Sequence, residues 1–538
     1  MKKKQLKRLA AILLAAGMAL GSLAACAGIS TTGAAAPAPA AEAPAAPAEE
    51  AAAPAEEAAP AEEPAAEAAW EGDIDEIEIM LFDLRGVSDH SEKVTAAMNA
   101  ITEPTIGVRA KIKWVDMASY VTQVGLSLSS GETIDVISIT PIPPTDYTTM
   151  VGSKQLMDIT DYLEEDGQEL MELCGDYMGA MAIGGRYYGV PCYRNYASVT
   201  YAIMRKDVLD QLGLTEQAAN ISSYTEFSDI LAKVKEETNL YPLGAFNNRI
   251  DVPCLTGDNF SDNVEFDALG DNLQMLFTDN DGGVYLLPEQ EAFRYGRDIV
   301  REWWNKDWIH KDSTISDEHV DTLMKTGVIF SSIQGSEIGV ETAKQEATGY
   351  EMVCVEMYRS YVRSANVIQF GMAVPSTAAE PEAAVRWLNA LYTKPELTNL
   401  LTWGIEGEDY VIKDGIATFP DGVSSDNVEY HSADFLYGNY FADYPWEGTS
   451  ADFREVAKAF LDAAPISPYL GFTADTSEIT NLVTALNSIK QKYTSEIYCG
   501  KYTDEGFETY VADAKTAGAE DYVAYYQEQL SAWCEANK

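Results

Sequence analysis

Residues 106–139 read IGVRAKIKWVDMASYVTQVGLSLSSGETIDVISI, and this stretch decides the class of the fold. From Gly107 to Val115 apolar and charged residues alternate, the two-residue period of a strand with one buried face. Ala118 to Leu128 changes to a helical pattern, and Ile134 to Ile139 is a short apolar run of strand length. Upstream, Ile74 to Phe82 carries the alternation EIEIMLF of a first strand, Asp83-Leu84-Arg85-Gly86 reads as a loop, and a helix is expected around Ser91 to Thr102. Strand and helix periods taking turns predict an α/β fold with crossover connections.

The start of the chain has a different logic. Lys2, Lys3, Lys4, Lys7 and Arg8 precede an apolar run from Leu9 to Leu23, the order of a secretory signal and shorter than a membrane span. The run ends in Leu23-Ala24-Ala25-Cys26, which resembles the lipobox of bacterial lipoproteins. That resemblance implies a signal over 1–25, a lipidated (palmitate-bearing) Cys26, and attachment to the outer face of the cell membrane through lipid alone. Residues 26–69 are the lipidated cysteine followed by almost nothing but Ala, Pro and Glu. Proline interrupts helix and the glutamates repel one another, so this segment reads as an extended tether without a core.

From Trp70 onward the chain is longer than one core serves, which predicts two lobes. The formal charge is -48, from 37 Lys and Arg against 85 Asp and Glu. Such a surface repels phosphate, so nucleic acid and anionic lipid headgroups are excluded as partners, and an acidic ligand is disfavoured unless a local arginine overrides the field. Cys174, Cys192, Cys254, Cys354, Cys499 and Cys534 show no metal spacing and are expected to be mostly free and buried, and the 4 histidines are scattered. No metal and no cofactor is expected. There is no GxSxG, HExxH, Walker or dinucleotide glycine pattern, so nothing points to an enzyme. Thr278 to Gly283 reads as a turn between strands at Leu273–Phe277 and Val284–Leu287.

Several further stretches occur in a telling order. Ile183-Gly184-Gly185-Arg186-Tyr187-Tyr188-Gly189-Val190-Pro191, Met204 to Leu209, Phe370 to Pro375, Glu380 to Ala384 and Leu401 to Tyr410 follow the opening segment. Together they resemble the family 1 extracellular solute-binding proteins of ABC transporters, in particular the long lipoprotein-type carbohydrate binders. The resemblance implies a periplasmic-binding-protein-like type II fold, two discontinuous α/β lobes with ligand in the cleft between them. Carried onto this chain, it puts 70–193 and 335–405 in the first lobe and 194–334 and 406–538 in the second. The crossings are expected near Tyr193 to Ala197, Ser332 to Gly339 and Trp403 to Tyr410. It also implies a monomeric binder that delivers carbohydrate to ABC permease subunits. The same fold serves peptide or polyamine ligands, and a secreted glycoside hydrolase is the enzymatic alternative.

Sugar recognition needs flat aromatic faces and planar polar groups that pair with adjacent hydroxyls. Tyr193, Arg194, Asn195 and Tyr196 supply both at the first crossing. Gln334, Trp403 and Glu406 near the other crossings, Asp146 and Tyr147 in the loop after Ile139, Arg85 after the first strand, and Tyr440 and Trp446 are further candidates. Packing is the competing explanation for each. Trp303, Trp304 and Trp308 are read as core residues.

Overall fold

The computed structural model describes residues 69–537 apart from 85, 86, 89, 253, 265, 317, 337 and 426. The expected signal, Cys26 and the tether up to residue 68 therefore lie outside the described residues, as does Arg85.

The alternating segment near the start of the described residues becomes the strand Asp75–Asp83, and it pairs in parallel with Val108–Asp116 over its whole length, Asp75 opposite Val108 and Asp83 opposite Asp116. Its other neighbour is Val136–Ile139, also parallel. Next comes Gly371–Ala373, antiparallel to both Val136–Ile139 and Gly189–Pro191, which completes a 5-stranded sheet. Gly371 is required here: a Cβ at that position would run into the carbonyl of Val190 on the paired strand. This pairing brings Asp83, Asp116, Ile139, Pro191 and Gly371 to one edge of the first sheet.

The second sheet is 4-stranded, in the order Met352–Arg359, Val199–Arg205, Ile329–Ser336, Tyr241–Gly244. Val199–Arg205 is antiparallel to both neighbours, and Ile329–Ser336 is parallel to Tyr241–Gly244. The start of Val199–Arg205 and the ends of the other three strands share one edge. Each sheet thus turns one row of strand ends toward the segments that join the lobes, the position where α/β folds hold ligands.

Three segments make the crossing. Cys192 N–H donates to Phe370 O (3.0 Å), Ser360 N–H to Ser198 O (3.1 Å), Val362 N–H to Pro465 O (2.8 Å) and Ser467 N–H to Val362 O (2.9 Å). The first crossing runs from Cys192 to Ser198. The other two run through 360–370 and 464–467, not through Ser332–Gly339 and Trp403–Tyr410. Ser332 sits inside a continuous strand of the second sheet, and Trp403 ends the helix Pro395–Trp403 of the first lobe. The lobe boundaries shift accordingly. Met352–Arg359, expected in the first lobe, is a strand of the second sheet. Tyr430, Leu436, Tyr437 and Leu461, expected in the second lobe, are buried in the first lobe's core. The physical cause is that strand periodicity marks a buried face without naming the sheet it joins.

Besides a small cluster of Ile203, Val320, Met324, Ile329, Val340 and Met352, the second lobe has two larger cores among the described residues. One packs helices Tyr224–Glu237 and Glu291–Asn305 on the sheet, with Trp303 fully buried, Trp308 buried and Trp304 partly so. The other gathers the C-terminal helices Thr480–Tyr498, Asp504–Thr516 and Ala519–Ala536 against the hairpin Leu276–Thr278/Val284–Leu286, whose turn is the one expected. Of the six described cysteines, Cys174, Cys192, Cys254 and Cys499 are buried.

Candidate functional site

The first sheet's cleft edge is roofed by the excursion between Trp403 and Trp446. Tyr437 pins it: the buried hydroxyl accepts from Phe82 N–H (3.1 Å) and Ser138 Oγ (3.1 Å) and donates to Phe82 O (2.6 Å). Burial pushes this phenol well above its ordinary pKa. A second attachment joins the excursion to the first crossing, Tyr193 N–H to Gly438 O and Tyr440 N–H to Tyr193 O, both 2.9 Å. The Gly404 to Gly407 turn closes on Asp409, whose buried carboxylate accepts from Ile405 N–H (2.8 Å) and pairs with His90 Nδ1 (3.0 Å). A side chain at Gly404, with φ of 89°, would strike that carboxylate.

These attachments stack an aromatic shelf. Trp403 lies 4.7 Å from Trp446 at an interplanar angle of 32°, and His431 lies 4.9 Å from Trp403 and 4.4 Å from Trp446. Phe419 meets Trp446 at 4.8 Å. Trp403 is buried beneath, its indole N–H donating to Tyr444 O (3.2 Å), while Trp446 is only partly covered and Tyr444 is exposed. The arrangement presents a rigid aromatic surface whose orientation is fixed from below.

The second sheet's cleft edge opens on a cavity of about 270 Å³. Thr200, Gly335 and Tyr358 line it from the strand ends, Ser198, Ser360 and Arg363 from the crossings, and Arg249, Asp251 and Phe266 from loops of the second lobe. Arg249 Nη2 donates to Asp251 Oδ1 (2.5 Å), and its guanidinium lies 4.9 Å from the Tyr498 ring. Burial works to lower its pKa, but the Asp251 charge and the Tyr498 contact outweigh burial and raise it, so the cation is secure. Its Nε is buried with no partner among the described residues. Behind it Arg297 is wholly buried, donating to Ile250 O (3.2 Å), Tyr498 O (3.4 Å) and Val252 O, with its guanidinium 4.7 Å from the Tyr498 ring and 5.5 Å from that of Phe293. Arg297 thereby holds the loop that carries Arg249 and Asp251.

The residues expected from the sequence divide into three groups. Trp403 and Trp446 come together in the shelf, and Tyr440 lies close by in sequence, buried under the Arg454 guanidinium at 3.8 Å. The first-crossing residues Tyr193, Arg194, Asn195 and Tyr196 are at the cleft but buried as fastenings of the hinge. Arg194 donates to Asn195 O (3.1 Å), Asn366 O and Gln369 Oε1 (both 3.4 Å), the Asn195 side chain bonds Ala197, and Tyr196 OH donates to Cys192 O (2.6 Å). The others serve local structure. Asp146 caps the helix Tyr147–Gly152, and Tyr147 OH donates to Met181 O (2.5 Å). Gln334 joins a buried network with Ser332 (2.6 Å), Lys344 (2.8 Å) and Asp321 (3.2 Å). Glu406 is exposed on its turn.

Sequence reasoning missed His431, Arg249, Asp251, Tyr358 and Arg363. A signal existed for two of them: Arg249 and Asp251 lie in the loop that follows Tyr241–Gly244, a strand ending at the cleft edge. Among the described residues no group of His, Cys, Asp and Glu is placed to hold a metal, and no helix is long and apolar enough to cross a membrane.

Against known proteins, the family model described as a domain of unknown function, DUF3502, matches residues 468–535. A carbohydrate ABC transporter substrate-binding protein of Streptococcus pneumoniae serotype 4 is 21% identical over 459 residues, covering 84% of this chain and 89% of that one. The crystal structure of the N-glycan transport solute binding protein NgtS of Streptococcus pneumoniae superposes with a TM-score of 0.70 at 19% identity, over 86% of this chain and 100% of that one. The same protein in complex with Man5GlcNAc gives 0.58 at 20% identity, over 86% and 99% of the two chains. The Streptococcus pneumoniae ABC-transporter substrate binding protein FusA in complex with kestose gives 0.57 at 15% identity, over 86% and 100%. The resemblance to ABC-transporter solute-binding proteins and the type II two-lobed fold are both borne out.

Proposed function

We propose that this chain, a relative of the ABC-transporter solute-binding proteins that shares their fold, captures an oligosaccharide between its lobes and presents it to the permease subunits of an importer. One observation carries the reading: Trp446, only partly covered, is stacked on Trp403 and His431 in the excursion over the first sheet's strand ends, and a polar cavity lined by Arg249 and Asp251 lies at the second sheet's strand ends. An aromatic face takes the C–H side of a sugar ring, and planar arginine and carboxylate groups take its hydroxyls. That combination binds and orients a sugar, and the named relatives are binding proteins.

Calorimetry with neutral and charged oligosaccharide panels, beside peptides and polyamines, tests the ligand class. Small-angle scattering should show compaction on adding the bound sugar. Binding of a peptide or polyamine with no carbohydrate response overturns the reading.

The anchor is part of the same proposal. Lipid on Cys26 and the Ala-Pro-Glu tether hold a monomeric binder at the outer membrane face beside its permease. Cys26→Ala should abolish partition into the detergent phase. Unchanged partition refutes the anchor and leaves the ligand assignment standing.

A further inference from the structure

Resting on the carbohydrate reading above, we infer that Asn247 is a specificity-determining residue: its side-chain amide, carried at the tip of a fixed turn on the second lobe's cleft edge, pairs with two adjacent hydroxyls of the bound sugar. The strand Tyr241–Gly244 stops opposite Ser332, while its neighbour runs on to Ser336. The chain then makes a tight hairpin turn. Phe246 N–H donates to Arg249 O and Arg249 N–H to Phe246 O, both 3.0 Å, and Asn247 and Asn248 between them have φ of 48° and 57°. Two successive residues in the left-handed region mark a type I′ turn, which asparagine enters more easily than most residues that carry a Cβ. Arg249, the last residue of the turn, lines the cavity together with Thr200 and Gly335, so the turn stands on the rim of the cleft.

The turn is a rigid mount. Asn248 donates its amide to Ser313 O (3.0 Å) and Ser316 O (2.9 Å), and its backbone carbonyl accepts from Cys499 Sγ (3.2 Å). The Phe246 ring meets His319 edge-on at 5.1 Å, and just beyond the turn Ile250 N–H donates to Tyr498 O (3.2 Å) while Arg297 holds Ile250 O (3.2 Å). None of these attachments uses the Asn247 side chain. It is exposed and has no hydrogen-bond partner among the described residues. Two asparagines thus stand side by side in the same backbone region; one amide fastens the turn, and the other is left for solvent or ligand.

A carboxamide is planar and carries an acceptor and a donor group side by side, so it accepts from one hydroxyl and donates to the next. It does so without charge. The formal charge of -48 repels an anion but not a neutral hydroxyl pair, so a neutral recognition group at the rim suits the surrounding field. A short side chain on a backbone already held reaches few positions, loses little freedom on binding, and selects the hydroxyls that meet it there. Turn formation alone also accounts for an asparagine at this place. Glycine separates the two roles, because without a Cβ it takes a positive φ at least as readily and carries no amide.

The test is calorimetry on the purified folded chain with neutral di- to hexasaccharides of the malto, cello, manno, galacto, xylo and fructo series, beside denaturant unfolding of each variant. Asn247→Gly should keep the wild-type unfolding midpoint and bind the tightest member of the panel about fivefold to tenfold more weakly, the loss expected for neutral hydrogen bonds. Asn247→Asp, which keeps the acceptor and loses the donor, should fall between. Monodeoxy analogues of that ligand should include a member whose loss of affinity in the wild type vanishes in Asn247→Gly; losses that add for every analogue overturn the inference. Asn248→Gly is the control and should lower the midpoint, since it removes both bonds to the 313–316 segment. An unchanged midpoint there removes the fixed mount and the inference with it. Wild-type affinity in Asn247→Gly overturns the inference and leaves carbohydrate capture intact. A lowered midpoint in Asn247→Gly overturns it too, since asparagine there then serves only to build the turn. Failure of every carbohydrate to bind the wild type overturns the proposed function itself, so the two failures are distinguishable.

Discussion

At the first sheet the strand ends are covered by an excursion of the chain that stacks Trp403, His431 and Trp446, whereas at the second they open onto a cavity lined by Arg249, Asp251 and Arg363. One edge offers rigid area; the other offers directed charge. Area and charge act on a ligand by different rules: stacking is tolerant of sugar identity, while hydrogen bonds to fixed polar groups discriminate. The division implies that affinity comes chiefly from the first lobe and selectivity chiefly from the second. It also implies that the lobes must close together for both to act, since a ligand shifts the open–closed equilibrium only through contacts that differ between the two states.

The comparison can be broken most forcefully with tryptophans that differ in place but not in size. Trp303, fully buried against Phe227 at 5.8 Å and donating its indole N–H to Ser228 Oγ (2.8 Å), belongs to a core. Trp303→Ala should cost about 3–5 kcal/mol of stability in denaturant unfolding. Tyr437→Phe comes next, because it removes the hydroxyl that pins the excursion and strands Phe82 N–H and O at the strand end; a loss of about 1–3 kcal/mol is expected. It should weaken sugar binding in parallel, since the shelf loses its mooring.

Trp446→Ala should do the reverse of Trp303→Ala. It should weaken oligosaccharide binding by about 1–2 kcal/mol in calorimetry with little change in the unfolding midpoint. A stability loss as large as that of Trp303→Ala would show that Trp446 is packing and not a surface for ligand.

The smallest expected effect concerns Asp443 beneath the shelf. Its carboxyl is held well above the ordinary aspartate range, chiefly by burial, with Asp434 adding to the shift while Arg454 and the Thr402 hydroxyl (3.1 Å) oppose it. The folded state therefore keeps this proton longer than the unfolded chain. Its contribution to stability is complete below the unfolded pKa, near 3.9, and is lost as pH rises through the raised folded value. Asp443→Asn, which stays neutral, should raise Tm modestly at neutral pH and flatten that part of the Tm–pH profile. A steeper decline above pH ~4 in the variant contradicts the assignment.

How much of this was legible in the sequence differs from residue to residue. The strand Asp75–Asp83 and the helix Met117–Ser130 were visible because period depends only on neighbours along the chain. Trp403 and Trp446 were plausible as aromatics near a cleft, but nothing local shows two indoles 43 positions apart in contact at 4.7 Å. Tyr193 to Tyr196 looked like ligand contacts because their chemistry suits sugar. In the folded chain that chemistry is spent on Cys192, Ala197, Asn366 and Gln369, holding the first crossing to the second. Arg249 went unnoticed since one arginine in a loop carries no mark of the cavity it will line.

The sequence by itself determined the alternation of strands and helices and a length that calls for two lobes, because these rest on short-range period and on chain length. Only the tertiary structure decided which sheet Met352–Arg359 joins, which lobe the 403–446 excursion covers, and which arginines face a cavity. The reason is physical: a periodic pattern states that one face must be buried, and the partner that buries it is chosen by packing and by backbone hydrogen bonds between residues far apart in the chain.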